Sequence, residues 1–133
     1  MATPIFIRIY NYTGHEITSV VTEHHDLSDS GEEFNEKTIG VGGVLEGETE
    51  VKTGAGNGEL TIVIKEGKAT IGYFKMKDLK NPHEGLDSFE VPSPPAHPYQ
   101  FTYVAYRHLD TEPEENRYTY LVVNKFPTGS TLP

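Results

Sequence analysis

The chain contains no cysteine and no tryptophan. Without a thiol there is no disulfide, thiolate metal site, iron–sulfur cluster or cysteine nucleophile, and the absence fits a reducing, cytoplasmic compartment. There is also no run of roughly 18 apolar residues that would span a bilayer as a helix. The opening MATPIFIRIYNYT carries Arg8 inside a short apolar stretch, with no basic region or small-residue cleavage site before it, so no signal peptide is expected. Basic residues are scarce, 11 against 20 acidic ones, for a formal net charge of −9. The densest lysine stretch, KMKDLK, contains an aspartate, and a polyanion such as nucleic acid is not an expected partner.

Catalytic signatures are missing as well. There is no GxSxG elbow, no HExxH and no phosphate-binding Gly-Lys-Ser/Thr combination. The glycine-rich segments IGVGG and TGAGNGEL follow no Rossmann strand and open no helix, so their expected role is conformational. These absences point away from an enzyme. A hydrolase with a carboxylate pair in a cleft is the catalytic alternative, since 20 acids offer many pairs.

What is present is strand. A chain of 133 residues has the size of one domain and can bury a core without a staple, so residues 1–133 are read as a single unit. IFIRIY at 5–10 alternates with period two, and EITSVVTEH at 16–24 resumes after NYTG, predicting a hairpin. ELTIVIK and KATIGYFKM, separated by Glu66 and Gly67, predict a second. YQFTYVAYRHL and RYTYLVVNKF, joined by DTEPEEN, close the chain, while GVLEGETEVK and SFEV are weaker strands. The prolines of VPSPPAHPYQ favour an extended connection. Helix is limited to a short turn near Met76 to Leu79. The expected fold is all-β: an antiparallel two-sheet β-sandwich, jelly-roll-like, with seven or eight strands, a small barrel being the alternative.

Three residue groups carry chemistry. The loop DLSDSGEEFNEK, residues 26–37, places Asp26, Ser28, Ser30 and Gly31 on an EF-hand register, but Phe34 and Lys37 occupy positions nine and twelve. An irregular calcium site built from Asp26, Asp29, Glu32, Glu33 and Glu36 needs no such register, only a loop that folds back. His24 and His25 are adjacent and face opposite ways in a strand, which suits one shared ion poorly. The third group is aromatic. Tyr10 and Tyr12 flank Asn11, and Tyr118 and Tyr120 share a face of the last strand, where tyrosine can stack on a sugar or anchor a protein contact. In the last two strands neither face is cleanly polar, which signals either a buried central strand or an outer surface that binds something. NYT at 11–13 meets the N-glycosylation pattern, for which a turn is the expected explanation.

The stretch IFIRIYNYTGHEI resembles the first hairpin of small cytolytic β-sandwich proteins, including aegerolysins. The resemblance implies a β-sandwich. The tryptophan of that family's aromatic pattern is absent here, and its membrane activity is not carried across. The expected function is a non-catalytic module recognising a carbohydrate or a protein, with calcium as a possible organiser of the acidic loop. The alternative is a structural or self-assembling β protein, and a homodimer suits an open sandwich.

Overall fold

The computed structural model describes residues 3–80, 88–92, 98–108 and 116–125, with the side chains of residues 106–108 and 116 left aside. The strands are β1 (Thr3–Tyr12), β2 (Ile17–His25), β3 (Lys37–Ile39), β4 (Val44–Val51) and β5 (Glu59–Glu66), followed by β6 (Ala69–Met76), β7 (Phe89–Glu90), β8 (Tyr99–His108) and β9 (Asn116–Lys125). They form a four-stranded sheet, β4-β1-β9-β8, and a five-stranded sheet, β3-β2-β5-β6-β7. The sandwich is as expected. The strand count among the described residues is nine, because the three-residue β3 carries too little pattern to be seen in sequence, while β7 falls within the expected strand SFEV.

Three further expectations are corrected. β1 and β2 do not form a hairpin; they lie in different sheets. The turn between them is wound around Asn11, which is fully buried. Its Nδ2 donates to the carbonyls of His15 (2.7 Å), Ile39 (3.0 Å) and Gly40 (3.0 Å), while its Oδ1 accepts from the backbone and hydroxyl of Thr13. Gly14, at φ 81°, completes a crossover that a hairpin turn would not make. The sheets are also not wholly antiparallel: β1 runs parallel to β9 from Ile5↔Arg117 to Tyr12↔Asn124, and antiparallel to β4. The β5–β6 and β8–β9 pairings follow the sequence pattern. Among the described residues the helical turn is Glu32–Phe34, inside the acidic loop, and not Met76 to Leu79.

Alternation fills the core. Ile5, Ile7 and Ile9 of β1, Leu121 and Val123 of β9, and Leu60, Ile62, Ile64 and Phe74 of the facing sheet are buried together. The sheets approach most closely where Phe101 of β8 meets β6: a Cβ on Gly72 would lie 2.2 Å from its ring, so only glycine admits it. Phe74 packs against the same ring, with centroids 5.3 Å apart at 66°. No helix among the described residues is long and apolar enough to cross a membrane.

Candidate functional site

Period-two alternation in β1 sends Ile5, Ile7 and Ile9 inward and therefore Phe6, Arg8, Tyr10 and Tyr12 outward. In β9, with Thr119, Leu121 and Val123 inward, Tyr118, Tyr120 and Val122 face out. The parallel register sets Phe6 beside Tyr118, Arg8 beside Tyr120 and Tyr10 beside Val122. The structure thus brings Tyr10, Tyr12, Tyr118 and Tyr120 onto one outer face, although more than a hundred residues separate the two pairs.

The rings touch one another. Phe6 stacks on Tyr118 (5.4 Å, 23°), Tyr10 stacks on Tyr12 (6.1 Å, 13°), and Tyr10 meets Tyr120 edge-on (6.2 Å, 77°). The Arg8 guanidinium lies 5.6 Å from the Tyr120 ring centroid and 2.7 Å from Glu46 on β4, and its Nη1 donates to the Tyr10 hydroxyl at 3.4 Å. The bond to Tyr10, with the charge of Glu46, raises the Arg8 pKa further, so the cation is permanent. Phe6, Arg8, Glu46, Tyr118 and Tyr120 line a shallow depression of about 150 Å³.

The same face is apolar at its margins. Val104 is 60% exposed and neighbours Tyr120; Val44 is 46% exposed and neighbours Tyr10; Tyr12 is 52% exposed. Val41, 65% exposed, sits in the turn beside Asn11, whose backbone bonds Gly42 and Gly43. β8 is an edge strand and β9 lies between β1 and β8; on the second face of β8, Val104 points to solvent. Phe6, Arg8, Val44, Glu46 and Val104 were not among the residues singled out from sequence. The alternation of IFIRIY carries Phe6 and Arg8, but Val44, Glu46 and Val104 join only through strand pairing.

The acidic loop is arranged differently from a cage. Phe34 is fully buried, and its ring fills the space a Cβ on Gly47 would occupy. Its carbonyl accepts from Ser19 Oγ at 2.7 Å. Asp29 Oδ1 accepts from the Gly31 backbone and from Thr49 Oγ1, and Glu33 Oε1 accepts from the Glu48 backbone at 3.3 Å. Ser28 donates to the Glu50 carbonyl and Lys52 to that of Asp26. The loop therefore covers the free edge of β4 and closes one side of the sandwich. Asp26, Glu32 and Glu36 are exposed, Asp26 and Glu36 at positive φ. Among the described residues, no three His, Cys, Asp or Glu side chains gather as metal holders, so Asp26, Asp29, Glu32, Glu33 and Glu36 are not brought together. His25 lies 3.9 Å from Glu23 and 4.0 Å from Glu59 at the surface. Asn11 of the NYT triplet is buried with its amide nitrogen fully engaged, which closes it to glycan transfer in the folded chain.

A second polar cluster ties the sheets at one end. The Tyr99 hydroxyl donates to Glu66 Oε2 at 2.5 Å, and Lys125 Nζ lies 3.4 Å from Glu66 Oε1 and 5.1 Å from the Tyr99 ring. The Tyr99 bond, then Lys125, hold the Glu66 carboxyl below its ordinary pKa against the effect of burial. Burial and Glu66 push the Tyr99 phenol up. Both shifts favour the charged-acceptor, neutral-donor state that links β5 to β8 and β9.

No protein-family model matches this chain, and no curated protein matches it in sequence. Its fold is similar to that of IP-1A from Alcaligenes faecalis, at 11% identity and a TM-score of 0.58 over 95% of this chain and 93% of the other. It is similar also to RahU, a protein solved in complex with a Tris molecule, at 11% identity and a TM-score of 0.52 over 94% and 96% of the two chains. At that identity the likeness shows the β-sandwich fold and nothing finer.

Proposed function

We propose that this protein is a non-catalytic assembly module that acts by docking the outer face of its four-stranded sheet onto a protein surface. One observation carries this reading: outward positions that an ordinary sandwich fills with polar residues hold Phe6, Tyr10, Tyr12, Tyr118, Tyr120, Val44 and Val104, grouped around the Arg8–Glu46 ion pair. Tyrosines mounted on paired strands are rigid, so covering them costs little conformational entropy, the property that makes such rings effective interface anchors. The depression of about 150 Å³ is below the roughly 300–1,000 Å³ of small-molecule sites, which favours a broad contact. The lowered pKa of Glu66 follows from the bond that joins the sheets, and the raised pKa of Tyr99 from burial and that same bond.

A second reading, a single sugar ring stacked between Tyr118 and Tyr120 with Glu46 accepting from its hydroxyls, is favoured by the composition of that depression alone. Calorimetric titration separates the two. A neutral amphipathic Leu/Gln peptide should give saturable heat that falls in the Tyr12→Ser/Val104→Ser double variant, whose changes are at exposed positions. Saturable binding of monosaccharides, with no heat from the peptide, would overturn the docking reading.

A further inference from the structure

The docking face is too small to hold a stable partner alone. Four strands spaced about 4.8 Å apart, used over about eight residues of 3.3 Å rise, give on the order of 500 Å². Stable interfaces bury about 800 Å² on each partner. A partner must therefore reach past the sheet, and across β4 the described surface continues directly into the acidic loop.

That flank is predominantly acidic, with Lys37 at the loop's end and Lys52 past the end of β4 as its cations. Glu48 and Glu50 face outward from β4 on the same side as Glu46, and Glu32 and Glu33 lie in the loop bonded to its edge. Arg8 neutralises Glu46. None of Glu32, Glu33, Glu48 and Glu50 makes an ion pair among the described residues, the nearest cation along β4 being Lys52 beyond its end. The whole chain carries −9, which repels a second copy and attracts a partner of opposite charge.

Resting on the docking reading above, we infer that the partner is a basic protein surface: its apolar side chains cover the aromatic residues while its lysines or arginines meet the carboxylates along β4 and the loop. The acidic loop then has two roles. Inwardly it plugs the sandwich with Phe34, and outwardly it steers the partner onto the face.

The test uses two amphipathic peptides of equal length, Leu/Lys and Leu/Glu, with association rates measured by stopped flow at low and moderate salt. The Leu/Lys peptide should bind and the Leu/Glu peptide should not. Glu32→Gln/Glu48→Gln/Glu50→Gln should lower the Leu/Lys association rate by about tenfold and flatten its salt dependence. A control with the same charge change on the other sheet, Glu23→Gln/Glu59→Gln/Glu90→Gln, should change it less than twofold. Equal slowing in both triple variants, or equal binding of the two peptides, would overturn the inference while leaving the docking reading intact. If Tyr12→Ser/Val104→Ser changes binding of neither the neutral nor the basic peptide, the docking reading itself fails.

Discussion

Gly47 lies inside a strand at ordinary φ, where alanine should relieve about 0.5–1 kcal/mol of backbone entropy cost. The structure predicts the opposite sign. A Cβ at Gly47 would stand 2.6 Å from Phe34 Cζ and 2.7 Å from Cε1, and the ring cannot retreat because Phe34 is enclosed and its carbonyl is held by Ser19. Overpacking of this kind costs about 1–3 kcal/mol. Phe34→Ala alone removes a fully buried ring and should cost about 3–5 kcal/mol. The two changes act on one space, so the double variant should be at least about 1 kcal/mol more stable than the sum of the single effects predicts. Urea unfolding followed by circular dichroism, with constant m, measures all three differences. Additive effects, or a stabilising Gly47→Ala, would refute the plug. A nearly silent Phe34→Ala would mean that residues 26–37 are an ordinary solvated loop. In the same assay calcium should leave the wild-type midpoint unchanged; a saturable rise abolished by Asp26→Ala/Glu36→Ala would restore the metal reading of this segment.

Asn11→Ala removes the side-chain donor to the Ile39 and Gly40 carbonyls and the acceptor of the Thr13 backbone, the His15 carbonyl keeping Thr13 Oγ1, and should cost about 2–4 kcal/mol in the same measurement, far more than the roughly 0.5 kcal/mol of a surface change. Glu66 gives a pH prediction. Its folded pKa lies below the ordinary value of 4.5, so in acid the unfolded chain binds more protons than the folded one, and stability falls as pH drops. The contribution is full above about 4.5 and disappears as pH passes through the lowered folded value. Glu66→Gln should flatten that acid limb of the melting temperature, and Tyr99→Phe, which removes the principal donor, should flatten it partly.

The strands were legible because alternation is local. IFIRIY and RYTYLVVNKF each declare an inner and an outer set without reference to the rest of the chain. The faces of the last two strands looked mixed because aromatic and apolar residues, Tyr118, Tyr120 and Val104 among them, stand at outward positions where polar ones are expected. The misread hairpin has a local cause too: NYTG has turn composition, but the direction of the turn depends on Asn11 finding the carbonyls of Ile39 and Gly40 from a distant segment. The acidic loop shows a similar division between composition and contacts. Its carboxylates dominate the composition, while its structural function rests on Phe34, the residue that spoiled the calcium register.

Sequence by itself determined that this chain is all-β, how the residues of each long strand divide between two faces, and that no thiol is available to it. Only the tertiary structure decided which strands are neighbours. Placing β1 parallel to β9 joins the first and last strands at the centre of one sheet, and that pairing alone assembles Phe6, Arg8 and Tyr10 with Tyr118 and Tyr120. Pairing of distant strands is set by how two whole sheets close over a shared core and by loop closure across the chain, quantities that no local pattern of residues contains.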